Sequence, residues 1–149
     1  MNEQILIAEL QKPEYSGLSD QDAADAINAK TATIRRPVPA DRVQAAAIAS
    51  GLWAIVKIAS QNAGLPNPPR GAAMSFVDWI EAGRPIDMDG GTVQGVGSVL
   101  LSYNLATQEQ LDALQTLADV VIPWTAANDL PEVGIGLVIN ARRAIANGE

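Results

Sequence analysis

Apolar residues recur along most of this chain at the three- and four-residue spacing of helices with one buried face. Leu6 and Leu10 pair at that spacing ahead of Pro13, whose ring forbids continuation, so a helix is expected over about 2–12. Tyr15-Ser16-Gly17 reads as a turn. Ser19 then serves as N-cap for a helix over about 20–30, with Asp20 and Asp22 at the positive end of its dipole and Ala23, Ala24 and Ile27 on one face. The helical pattern stops at Thr31. Thr33, Ile34 and Val38 favour extended backbone, and Pro37 and Pro39 block a helix, which predicts an extended arm at about 31–39.

Pro39-Ala40-Asp41 opens a long helical region reaching about Asn62, with a kink or break at Gly51. Beyond it, Leu52, Ile55, Val56 and Ala59 follow the helical template. Three prolines and two glycines between Gly64 and Gly71 mark a loop. Helices are expected at about 72–82, with Ala73, Val77 and Ile80 inward, and at about 92–103, where Gly97 permits close contact with a neighbour. Thr107-x-x-Gln110 is a capping box opening a helix whose stripe runs Leu111, Leu114, Leu117, Ala118 and Val121, ended by Pro123. A last helix over about 136–147 turns Val138, Ala141 and Ile145 inward. The fold class is therefore mainly α. We expect a compact bundle of six to eight short helices in a single domain over residues 1–149, and residues 33–36 and 132–135 are candidates for a minimal two-stranded β ribbon.

Composition sharpens this picture. Alanine supplies 25 of the 149 residues and only six are aromatic, so the core energy is spread over many small contacts between closely approaching helices. There is no histidine and no cysteine. That removes Ser-His-Asp and Cys-His catalysis, zinc sites of the usual nitrogen and sulfur kind, His-ligated haem, and disulfides. A net charge of −7 argues against nucleic acid as partner, since neutralising phosphates needs a basic face. The longest apolar run, Ala45 to Val56, is interrupted by Ser50 and Gly51 and falls short of the ~20 residues that span a bilayer, so no membrane partner is expected. Met1-Asn2-Glu3-Gln4 lacks the basic opening of a signal peptide, which fits residence in a cytoplasm.

Candidate chemistry is sparse. Asp87-Met88-Asp89-Gly90-Gly91 resembles the start of a calcium loop, but the closing glutamate is replaced by Ser98, and a capped turn explains it better. The glycines at 90, 91, 95 and 97 lack the Lys-Ser/Thr of a phosphate loop. Asp20, Asp22 and Asp25 form an acidic edge that reads as dipole complementation, and Asp78 with Glu81 is the carboxylate pair an enzyme would have to use. No catalytic, cofactor-binding or metal-binding residue is assigned, and neither a cofactor nor a small-molecule substrate is expected. Candidate protein-interface residues are Arg35 and Arg36 in the proline-flanked arm, Arg142 and Arg143 near the C-terminus, and Trp124 between Pro123 and Thr125. Trp53, Trp79 and Trp124 together are expected to supply much of the interior's bulk.

One order of features carries a resemblance. It runs Leu6-x-x-Glu9-Leu10, Pro13-x-Tyr15-x-Gly17-Leu18-Ser19-Asp20, Ala23-Ala24-Asp25-x-Ile27-Asn28-Ala29, Val38-Pro39-Ala40, Gly51-x-Trp53 and Ala141-Arg142-Arg143. In this respect, mostly over residues 1–55, the chain resembles small helical virion-associated proteins of tailed bacteriophages. The resemblance implies a non-enzymatic structural protein of the tail, connector or capsid, assembled in the host cytoplasm into the virion. Its partners would be other virion proteins and copies of itself. The alternative from another class is a small acidic inhibitor or regulator that binds a host protein.

Overall fold

The computed structural model describes residues 2–148 and is 63% helical, with nine α-helices and one two-stranded antiparallel sheet among those residues. The buried side chains gather in two clusters, and the chain divides accordingly into two compact units. Unit 1 combines the residues up to Ile34 with those from Val121 onward; unit 2 is Arg35–Val120.

In unit 1, α1 (Glu3–Leu10) is followed by a 3₁₀ turn at Pro13–Tyr15 and by α2 (Asp20–Ala29). The Asp22 N–H donates to Ser19 Oγ at 3.1 Å, the N-cap that the sequence announces. After the sheet come a one-turn helix, α8 (Trp124–Ala127), and α9 (Ile135–Ala146). Leu6, Ile27, Val133 and Val138 are fully enclosed where α1 and α2 meet α9.

Unit 2 begins with α3 (Ala40–Ala49) and α4 (Leu52–Gln61), which meet at a bend of 102°. The expected long helix breaks here because Gly51 has φ +80°, a left-handed conformation that a β-carbon disfavours. Then follow α5 (Pro69–Ala82), α6 (Gly91–Ser102) and α7 (Gln108–Thr116), the last opened by the Thr107–Gln110 capping box. Val43, Leu52, Val56 and Leu100 are fully enclosed. No helix among the described residues is long and apolar enough to cross a membrane.

The extended arm is β1 (Thr31–Arg35) and its continuation. Extended backbone cannot satisfy its own N–H and C=O groups, so it must find partners elsewhere. Val38 exchanges both its backbone bonds with Ile86 at 2.8 Å.

Two sequence expectations need correction. The partner of β1 is β2 (Asp119–Pro123), not residues 132–135, and α7 stops at Thr116 instead of running on to Val121. Val120, Val121 and Ile122 are β-branched and alternate in burial with their neighbours, which suits a pleated strand. Val121, expected inward, is 67% exposed. In the 132–135 stretch the Asn28 side chain, not a neighbouring strand, takes both backbone groups of Val133 at 2.8 Å, and α9 begins at Ile135. The helix count exceeds the expected six to eight through the break at Gly51 and the extra turn of α8.

Candidate functional site

The two arginines of the arm have different fates. Arg35 spends all five guanidinium N–H groups within unit 2. Its Nε and Nη2 bond Asp89 at 3.2 and 2.9 Å, Nη1 reaches Asp119 Oδ1 at 2.8 Å and the Gln115 carbonyl at 2.9 Å, and Nη2 also meets Gln115 Oε1 at 2.8 Å. The Asp89 and Asp119 carboxylates hold the Arg35 pKa above its ordinary value, and Arg35 in turn lowers that of Asp89. Arg36 donates its backbone N–H to Ala118 and is exposed, with no ion pair among the described residues.

The C-terminal pair repeats this division in unit 1. Arg142 binds Asp20 at 2.6 Å and the Tyr15 carbonyl at 2.9 Å, fastening α9 to α2 and the 3₁₀ turn, whereas Arg143 is exposed. Trp124 is half-buried against the unit 1 core, with the Lys30 ammonium 5.5 Å from its ring centre. Trp53 and Trp79 are likewise half-buried, against the core of unit 2.

Beneath α1 lies a buried carboxylate. Glu9 is 4% exposed and is met by Lys12, by Lys30 and by the Tyr15 hydroxyl, which donates to Oε1 at 2.8 Å. Burial by itself raises the Glu9 pKa, but the three donors outweigh it and hold the carboxyl at about 2. Burial and the Glu9 charge push the Tyr15 phenol well above its usual value. Lys12 and Lys30 form ion pairs with Glu9, so this network braces the fold.

The acidic motifs are similarly occupied. Asp87 Oδ1 accepts the Asp89 N–H at 3.0 Å, closing the expected turn, and Glu81 pairs with Lys57 at 3.0 Å. Among the described residues no three acidic side chains gather to hold a metal ion. A cavity of about 370 Å³ with mixed polar and apolar walls lies beside α5, α6 and α7, lined by Phe76, Trp79, Leu100 and Leu111 on one hand and Gln108 and Asp112 on the other. Gln94 and Gln115 on its wall both donate to the Met88 carbonyl. Gly97 also lines this cavity; a β-carbon there would meet Leu111 only at 3.9 Å, ordinary contact rather than the close packing expected.

The feature that sequence periodicity overlooks is the corner formed by α3 and α4. Ile55, expected inward, is 39% exposed; Ile48 and Ile58 are 57% and 69% exposed. Ile55 and Ile58 stand one turn apart on α4, no residue from Ala45 to Val56 is charged, and Lys57 between the two isoleucines is partly exposed and paired with Glu81. The available signal was the absence of any charge between Arg42 and Lys57. Gln110 Nε2 donates to the Ser50 carbonyl at 2.8 Å, tying α7 to the bend.

No family model, curated protein or solved structure matches this chain.

Proposed function

We propose that this chain is a non-enzymatic structural and interaction protein of a tailed-phage particle, docked on other virion proteins. The observation that carries the reading is the charge-poor α3–α4 corner with its exposed Ile48, Ile55 and Ile58, where Lys57 is the one charged residue between Arg42 and Ile58 and is paired with Glu81. Charged residues are depleted at the centre of protein interfaces, and clustered exposed apolar side chains mark sites of association. The resemblance of residues 1–55 supports the virion setting, and a composition without histidine or cysteine supports a role without side-chain catalysis. Arg36, exposed within the arm, is the arm's contribution to such contacts.

Mass spectrometry of purified particles tests the reading. Stoichiometric presence is expected, with incorporation sharply reduced for Ile58→Asp although the purified variant keeps the wild-type fold. Absence of the chain from particles would reject the proposal and favour a small acidic regulator of a host protein.

A further inference from the structure

Two charges of opposite sign bracket the exposed face of α9, and the face between them is uncharged, with Asn140 its one exposed polar side chain. Ile135 and Ile139 are 43% and 37% exposed, one turn apart, with exposed Gly136 beside them. Arg143 is exposed on the last turn, and Glu132 is exposed just before the N-cap Gly134. Neither Glu132 nor Arg143 forms an ion pair with another described residue. We propose that this face pairs with the same face of a second copy, the two α9 helices running antiparallel about a two-fold axis.

The pattern is self-complementary in that arrangement. A two-fold axis reverses residue order, so a register that sets Glu132 against Arg143 of the second copy sets Arg143 against the second copy's Glu132 as well. The midpoint of Glu132 and Arg143 is also the midpoint of Gly136 and Ile139, and of Ile135 and Asn140. Each Ile139 therefore meets the other copy's Gly136, where no side chain stands in the way. Gly136 has no other evident reason to be glycine. A β-carbon built there meets nothing within 4 Å inside the chain, and glycine weakens a helix relative to alanine. Antiparallel packing also sets the helix dipoles in opposition. The chain's net charge of −7 repels copies at a distance, but this face brings one positive and one negative group per copy.

The size of the face fixes the strength of the pair. A 12-residue helix is roughly 18 Å long, and one of its faces covers well under the roughly 800 Å² per partner of a stable interface. The pair is therefore weak and reversible, forming at the high local concentration of an assembly. This inference is independent of what the α3–α4 corner binds.

Sedimentation equilibrium of the purified full chain over a wide concentration range tests it. A reversible monomer–dimer equilibrium is expected, weakened roughly tenfold or more by Ile139→Asp. Glu132→Arg and Arg143→Glu should each weaken association, and the double exchange should restore it. Glu132 and Arg143 are exposed, so their variants should keep the wild-type circular dichroism and Tm; Ile139 is partly buried within its own chain, so Ile139→Asp should keep the helical circular dichroism with a modestly lower Tm. A chain monomeric at all concentrations, a dimer indifferent to Ile139→Asp, or a double exchange that fails to recover would each overturn the proposal. Loss of the dimer in Ile58→Asp with Ile139→Asp silent would overturn it too, moving self-association to unit 2.

Discussion

Replacing Glu9 by glutamine keeps the shape of the side chain and removes the one buried charge among the described residues of unit 1. Its carboxyl has an ordinary pKa of 4.5 and is held at about 2 in the folded chain, where burial opposes the charge and Lys12, Lys30 and Tyr15 favour it. A depressed carboxylate pKa contributes stability that is fully present above the unfolded value and is lost as pH falls through the folded one. Between pH 6 and pH 2 the wild type should thus lose about 3 kcal/mol through this group alone, a large share of a domain's usual ~5–15 kcal/mol. Glutamine can still accept the Tyr15 proton, but its amide N–H₂ faces two ammonium groups, which must turn to water. At neutral pH Glu9→Gln should therefore cost roughly 2–4 kcal/mol, and near pH 2 the two proteins should converge. Urea unfolding at a series of pH values measures both quantities. A Trp53→Phe, Trp79→Phe background leaves Trp124 as the only tryptophan, and it packs in unit 1. Parallel pH curves for wild type and Glu9→Gln would refute the reasoning, because the lost stability would then arise from other carboxylates.

Arg35→Ala should lower the Tm of unit 2 and Arg36→Ala should leave it unchanged, a contrast that narrows in high salt because the Arg35 ion pairs are partly exposed; differential scanning calorimetry at two ionic strengths reads it. Gly51→Ala forces a β-carbon into φ +80° and should cost about 1–2 kcal/mol in denaturant unfolding, although the site has open space around it. Gly97→Ala should do the opposite, stabilising α6 by about 0.5–1 kcal/mol, since its new methyl reaches Leu111 at ordinary contact distance.

Local signals in the sequence located the helices well, and long-range ones were invisible to it. The N-cap at Ser19 and the capping box at Thr107 are contacts within four residues, and both helices begin where those residues place them. β2 is different. Leu117, Ala118 and Val121 fit a helical stripe, and only pairing with β1, more than eighty residues earlier, decides between helix and strand. The division into two units has the same origin. Unit 1 is assembled from both ends of the chain, so its core joins Leu6 and Ile27 to Val133 and Val138, contacts that no local period encodes. Arg35 and Arg36 are equivalent as sequence; they differ because Asp89, Gln115 and Asp119, brought from distant segments, converge on the first.

The α3–α4 corner shows why an apolar position is not the same as a buried one. Leu52, Val56 and Ala59 form the inward face of α4, and Ile55 fits their spacing, so a stripe template admits it. Yet a helix apolar on two faces must cover both, and the core of unit 2 covers only one. Ile58, 69% exposed on the other face, contributes little to folding and exposes a branched aliphatic side chain to water. α2 of unit 1 illustrates the ordinary alternative: its buried Ala23, Ala24 and Ile27 are backed by Asp22 and Asp25 on the outside. The outer side of α2 thus carries several charges, whereas that of α4 has only Lys57, already paired with Glu81, beside uncovered Ile55 and Ile58. Folding alone does not account for that difference, but a partner covering the outer face of α4 would.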